Sequence, residues 1–411
     1  MKVMIAGAGI GGLTLALMLH ERGIPCRVHE AAPEIRPLGV GINLLPHAVC
    51  ELSTIGLLPA LDAVGVRTRE LTYANRFGQE VWRELRGIDA GLDVPQFSIH
   101  RGHLQNLLLE AVIERLGPDV VSMSQRLTGF RQDEAGVTAT FAAPDGESHE
   151  AAADVLVGCD GIHSVTRAAL FPDEPGLRWN GIMMWRGATR RAPFADGRSM
   201  IIAGGFSHKL VLYPIGPIEP DGKQLLNWVV TYRQAEAGSA APRREDWNRR
   251  GEMAELRPHL DAFRDLPIDL NALVADTAEF FEYPMADRDP LPWWTRGRVT
   301  LLGDAAHPMY PVGSNGASQA VVDARALADA LVAAEHPGAG LAAYEADRLP
   351  KTAAVVQSNR RGGPEGAIDE VERRAPNGFD QLADVISDAE LREIVSGYAQ
   401  MAGFAADTPR S

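Results

Sequence analysis

The chain opens on a short apolar run, Val3-Met4-Ile5-Ala6, then a glycine-rich turn, then Leu13-Thr14-Leu15-Ala16-Leu17-Met18-Leu19, which stops near Gly23. A short apolar run and a longer one on either side of glycines predict a buried strand, a tight turn and a buried helix. A second strand is predicted over Cys26-Arg27-Val28-His29-Glu30. The same change of period recurs at Gln96-Phe97-Ser98-Ile99-His100, behind which Leu104, Leu107, Leu108 and Val112 follow at helical spacing. It recurs again at 154–161, where Ser164 is placed to cap a helix carrying Val165 and Arg167. Its last occurrence is Arg298-Val299-Thr300-Leu301-Leu302, then a Pro- and Gly-rich loop, then a helix from about Ser318 with Ala320, Val321, Ala324, Leu327, Ala328 and Leu331 on one face.

Between about 177 and 279 the pattern differs. Short runs such as "SMIIAG", "HKLVLYPIG" and "QLLNWVVTYR" are broken by Gly, Pro and Asp, and helical periodicity is sparse. This predicts an antiparallel sheet inserted between the strand–helix units, giving an α/β chain. Aromatic and soft side chains on these runs, Met184, Trp185, Phe206, Tyr213 and Trp228, are candidates to line an apolar pocket.

The turn after the first strand reads Gly7-Ala8-Gly9-Ile10-Gly11-Gly12. Gly7 permits the tight turn, Gly9 lets backbone approach a pyrophosphate, and Gly12 lets helix and strand pack closely, with the helix N-terminus facing the phosphates. Glu30, at the end of the next strand, is placed to accept from ribose hydroxyls. Gly338-Ala339-Gly340 follows helical residues instead of a strand, so one dinucleotide site is expected, not two.

Further candidates sit at the other strand ends. Arg101 stands at a helix N-terminus, where a cation opposes the dipole unless an anion is bound there. Asp160 and Asp304 each follow a strand, where a carboxylate can hold a sugar-like hydroxyl. Gly313, Asn315 and Gly316 allow tight backbone whose amides, with the helix dipole, stabilise negative charge. His47, His208 and His307 lie near loops and are candidate bases; no nucleophile, triad or metal cluster is evident.

Composition narrows the partners. The 411 residues carry 40 basic and 54 acidic side chains, a formal charge of −14, which opposes nucleic acid and anionic membranes and favours a small-molecule partner. Three scattered cysteines give neither a disulfide framework nor a metal knuckle and point to the cytoplasm. The N-terminus reads as a strand, not a signal peptide, and no apolar run is long enough to span a membrane.

With Gly7, Gly9, Gly12, Glu30, Arg101, "CDGIHSVTR" and "GDAAHPMYPVGSNGASQA" in this order, the chain resembles the FAD-dependent aromatic hydroxylases of the para-hydroxybenzoate hydroxylase type over about residues 1–360. Stretches such as "GVGINLLPHAV", "PQFSIHRGHLQ", "MMWRG" and "YPMADRDPLP" resemble the phenazine-modifying members most. The resemblance implies a glutathione-reductase-type, Rossmann-like FAD-binding domain from 1–70, 98–176 and 280–360. A β-sheet substrate domain is implied from 71–97 and 177–279, and a C-terminal helical segment over 361–411.

It implies that Gly7, Gly9 and Gly12 cradle the FAD pyrophosphate and Glu30 binds the adenosine ribose. Arg101 and Gln105 would reach the pyrophosphate and ribityl region. Asp160, supported by Arg167, would serve FAD and pyridine nucleotide, and Asp304 the ribityl chain. The loop Pro311, Gly313, Asn315, Gly316 and Ala317 would face the pyrimidine edge of the flavin. Cys159 departs from the family's commoner alanine.

The implied reaction uses NADH or NADPH and dioxygen to hydroxylate an electron-rich aromatic ring, fused or N-heterocyclic, with or without loss of carbon dioxide, in a monomer or homodimer. The alternatives are an FAD-dependent dehydrogenase that leaves oxygen out of its product, and a non-catalytic nucleotide-binding regulator. The paired-tryptophan pattern of flavin halogenases is absent.

Overall fold

The computed structural model describes residues 1–36, 40–143, 146–243 and 249–404. Its centre is a parallel five-stranded sheet in the order Val299–Leu301, Val155–Gly158, Val3–Ala6, Cys26–His29, Val121–Ser122. The strand Val3–Ala6 is buried at every position, as a parallel strand covered on both faces must be. The helix Ile10–Glu21 behind it has no polar face: every residue from Gly12 to Leu19 is buried. It packs against the helices Arg101–Leu116 and Gly316–Ala333.

A seven-stranded sheet forms the second layer, in the order Phe280–Asp287, Arg178–Arg191, Gln224–Arg233, His208–Pro214, Ser199–Gly204, Glu70–Ala74, Glu80–Leu85. It is antiparallel except for one pair, Ser199–Gly204 with Glu70–Ala74, which runs parallel. Those two strands are separated by a long excursion through the parallel-sheet half, which supplies the crossover that a parallel pair needs. The strand Phe280–Asp287 pairs with Arg178–Arg191, so this sheet continues past residue 279 into the stretch expected to belong to the cofactor half.

One face of the large sheet, bearing Trp185, Leu210, Leu212, Trp228 and Val230, packs on the short helices Met253–Leu260 and Leu270–Ala275. The other, bearing Met184, Val229, Tyr283 and Met285, looks toward Tyr310 and Val312 and the parallel-sheet half. The C-terminal segment adds the helices Gly366–Arg374 and Asp388–Ala402 against both. The last of the residues expected in that segment, 405–411, lie outside the described ones.

Among the described residues no helix is long and apolar enough to cross a membrane.

Candidate active site

The first βα turn has the shape its glycines anticipate. Gly7 has φ +107°, and a Cβ there would lie 2.4 Å from the Cys159 carbonyl oxygen. A Cβ on Gly12 would lie 2.1 Å from the Gly7 carbonyl oxygen. Gly9 is different, because nothing lies within 4 Å of its hypothetical Cβ, leaving its backbone open toward a cavity. Glu30 closes the turn from the neighbouring strand: its carboxylate accepts from the Ala8 amide at 2.7 Å and the Ala32 amide at 2.8 Å. Gln105 reaches the same turn, donating from Nε2 to the Ala8 carbonyl at 2.8 Å.

That cavity is about 1460 Å³ and continuous. It starts at Gly9, passes Arg101, Asp160 and Asp304, follows Pro311, Ser314, Asn315, Gly316 and Ala317, and ends on the apolar face of the large sheet. Gly7, Gly12, Glu30, Gln105 and Gly313 shape its surroundings without lining it. Arg101 and Asp304 both line it and are open to it: the surrounding protein pulls the Arg101 pKa down by desolvation, an effect Asp304 opposes and Arg186 reinforces. Burial raises the pKa of the Asp304 carboxyl, while His307 and Arg101 draw it down. Cations of this kind, with the N-terminus of the Gly316–Ala333 helix at the far end, favour an anionic ligand along the cavity.

Asp160 is turned inward. Its carboxylate accepts from the Thr166 amide at 3.0 Å and the Thr166 hydroxyl at 3.2 Å, and also from Ser164, which caps the same short helix. Arg167 does not support it by side-chain contact. That guanidinium points along the helix to Glu174 and donates to the Ala305 and Ala306 carbonyls at 3.1 and 2.8 Å, tying down the backbone beside Asp304.

The three candidate histidines all miss the cavity. His47 is half-buried, its two ring nitrogens are shielded and without a hydrogen-bond partner, and desolvation holds its pKa down at about 3. His208 sits on the far face of the sheet, 3.3 Å from His259, with its pKa lowered by burial. His307 is buried in a pair with Asp323, which also accepts from Arg348 at 2.8 Å, so it belongs to the scaffold under the loop. His163, which the sequence reading passed over, does line the cavity.

Of the pocket candidates, Met184, Phe206 and Tyr213 line the cavity, whereas Trp185 and Trp228 lie in the core behind the sheet. Trp228 donates to the Thr277 hydroxyl at 2.9 Å, and Trp185 stacks on His259. The physical reason is the two-residue period of a strand: Met184 and Trp185 are adjacent and point to opposite faces. The pairings extend the rule. Met184 stands opposite Thr231 and Tyr283, and Arg186 stands opposite Val229 and Phe281, all on the cavity face. Arg186 donates to the Tyr283 hydroxyl at 2.9 Å and the Gly41 carbonyl at 2.8 Å, while its buried Nε has no hydrogen-bond partner. Counting in twos from Met184 reaches Arg186, so the missed cation was available from strand parity alone.

The glycine cradle, the open Gly9 backbone and the flanking cations fit a dinucleotide diphosphate. A family described as an FAD binding domain matches residues 1–359. The chain belongs to this family. It is 46% identical over 363 residues to the phenazine 1,6-dicarboxylic acid hydroxylase PhzS of Lysobacter antibioticus, covering 87% of this chain and 89% of that protein. It is 31% identical to the 3-hydroxybenzoate 6-hydroxylase of Klebsiella oxytoca, covering 92% of this chain and 91% of that one. In fold it is similar to Klebsiella pneumoniae HpxO complexed with FAD and uric acid (TM-score 0.73, 24% identity, 98% of this chain and 92% of that chain). A salicylate hydroxylase substrate complex is similar at TM-score 0.74 and 21% identity, over 99% of this chain and 98% of that chain. The protein is therefore an FAD-dependent aromatic hydroxylase, a monooxygenase, with the Rossmann-like fold and inserted sheet expected of it.

Proposed function

We propose that this monooxygenase hydroxylates a planar, fused, nitrogen-containing aromatic carboxylate of the phenazine type, bound between the 311–317 loop and the Met184 face of the large sheet. One observation carries the reading: a single cavity joins the glycine turn at Gly9 to that sheet face, so cofactor and substrate would share one continuous space. The similarity to PhzS, named for a phenazine dicarboxylic acid, supports the substrate class.

In this reading Gly7, Gly9 and Gly12 hold the pyrophosphate, Glu30 the adenosine ribose, Arg101 and Gln105 the central region, and Asp304 the ribityl chain. Asp160 shapes the backbone beside the pyrophosphate through its helix cap. Bound FAD supplies a ring that NADH or NADPH reduces and that passes one atom of dioxygen to the substrate. The chain's own residues do the rest. Amides of Asn315, Gly316 and Ala317, which line the cavity, with the N-terminus of the following helix, stabilise negative charge at the pyrimidine edge, and Gly313 shapes the turn behind them. Met184, Val229, Tyr283 and Met285 exclude water and orient an aromatic plane. Arg186, with one donor unpartnered, pairs with the ring carboxylate. The unpaired Cys26, Cys50 and Cys159 suit a reducing cytoplasm.

The test uses the FAD-loaded protein with NADH or NADPH and phenazine-1-carboxylic acid under labelled dioxygen. The expected result is oxygen uptake matched to a product carrying one labelled atom; evolved carbon dioxide reports whether the carboxylate is lost. Product formation without oxygen, on an artificial acceptor, would show a dehydrogenase instead. Asp304→Ala and Glu30→Ala are expected to lower FAD occupancy, and a fully flavinated Asp304→Ala protein contradicts the role given to Asp304.

A further inference from the structure

The loop 311–317 is a thin wall. The large cavity lies in front of it, and a second cavity of about 400 Å³, lined by Gly313, Ser314 and Tyr398, lies behind. Such a wall needs a brace, the more so because Ser314 holds φ +59°, a left-handed conformation that costs a non-glycine residue on the order of 1–3 kcal/mol. Asn43 steadies one side, donating to the Ser314 hydroxyl at 3.2 Å.

The other support comes from outside the region that the family match covers. Tyr398, on the C-terminal helix Asp388–Ala402, is buried directly beneath the loop. Its hydroxyl accepts from Asn315 Nδ2 at 2.7 Å and donates to Asn359 Oδ1 at 2.8 Å. Asn359 in turn donates to the Tyr310 carbonyl at 3.0 Å, just ahead of the loop. Contact is so close that a Cβ on Gly313 would lie 2.3 Å from the Tyr398 hydroxyl oxygen. Glycine at 313 therefore serves the left-handed turn and also makes room for this hydroxyl. Asn315 is fully buried, and Gln319, one turn on, donates to its Oδ1 at 3.1 Å and to the Ala402 carbonyl at 3.3 Å, bonding the loop again to the end of the C-terminal helix.

We propose that Tyr398 is a positioning residue that sets the Asn315, Gly316 and Ala317 amides against the reactive ring of the flavin, making the C-terminal helix part of the redox site. This deepens the reading above and rests on its assignment of the loop to the pyrimidine edge. Reduction places negative charge at that edge, and donors held at fixed height stabilise it more than donors free to withdraw. Removing one hydroxyl from the brace leaves the fold and the substrate face untouched but weakens binding of the reduced flavin relative to the oxidised one.

The experiment compares wild type with Tyr398→Phe, both saturated with FAD, using phenazine-1-carboxylic acid as the aromatic probe. The bound-flavin midpoint potential is expected to fall by about 30 mV, equivalent to a tenfold loss in relative affinity for the two-electron-reduced form. The rate of flavin reduction by NADH is expected to fall, with the probe's KM and the melting temperature little changed. An unchanged potential at full FAD occupancy overturns the proposal. If Tyr398→Phe does not fold, Asn315→Ser, which removes the Nδ2 donor and leaves the tyrosine in place, reads the same potential with the same two outcomes. Should the wild type bind FAD yet hydroxylate nothing, the substrate reading fails, and the potential comparison still decides the role of Tyr398.

Discussion

The two ends of the cavity are built by different rules. At the Gly9 end, the site is made largely of backbone from one βα turn whose glycines lie within a few positions of one another, braced by Glu30 and Gln105 from other elements. At the Met184 end, it is made of side chains from four paired strands, His208–Pro214, Gln224–Arg233, Arg178–Arg191 and Phe280–Asp287. A backbone site tolerates few changes and announces itself by spacing. A side-chain site tolerates many changes and is defined by which face each residue takes.

Four substitutions test that contrast, in falling order of effect. Gly12→Val should be the most damaging, because its Cβ begins 2.1 Å from a carbonyl oxygen that cannot move without shifting the first strand. The expected loss exceeds about 4 kcal/mol, read as a collapse of both melting temperature and FAD content.

Asp323→Asn should cost about 3–5 kcal/mol, since it leaves Arg348 buried beside a neutral partner. The Asp323 carboxyl is held below its ordinary value of 3.8, burial being outweighed by His307 and Arg348. A depressed acid contributes stability that is fully present above the unfolded pKa and is lost as pH falls through the folded one. The gap between wild type and variant should therefore be constant from neutral pH to about pH 5 and narrow below about pH 4 in acid titrations of melting temperature.

Arg186→Met should act at the other end alone. It should raise the KM for phenazine-1-carboxylic acid about tenfold, roughly 1.4 kcal/mol, and leave FAD occupancy as it was. Steady-state kinetics with flavin counts would check both halves, and a fall in FAD occupancy without a change in KM would move Arg186 to the cofactor end. Trp185→Phe should have the smallest effect on the site, with KM unchanged and its cost confined to stability, on the order of 0.5–3 kcal/mol, because that ring packs behind the sheet. A large KM effect at Trp185 would break the face assignment.

How much could be read in one dimension follows from the same contrast. The positions of the glycine turn, Glu30, Arg101, Asp304 and the late loop in the fold were legible because a tight turn, a strand end and a helix N-terminus each demand particular residues at fixed offsets. The aromatic candidates were legible only in part, Phe206 and Tyr213 lining the cavity and Trp185 and Trp228 not, because residue type says nothing about face. Met184 and Trp185 could not both point into the cavity, and Tyr213 pairs across from Asn227 while Trp228 pairs with Leu212 on the opposite side. The histidines missed the cavity for a related reason: nearness to a loop does not reveal where a ring points, and His47 stacks on Phe404 while His208 and His307 pair with His259 and Asp323.

The chain's linear pattern settled the α/β class, the glycine-rich first βα turn and the inserted sheet, because these depend on periodicity and on local backbone geometry. Folding settled what depends on distance. It placed a strand from 280–287 in the seven-stranded sheet, chose the Arg186 face over the Trp185 face for the cavity, and set Tyr398 under a loop more than eighty residues earlier in the chain. Contacts between such remote segments leave no period in a sequence, because the register of strands and the docking of a helix are fixed by the packing of all their neighbours at once.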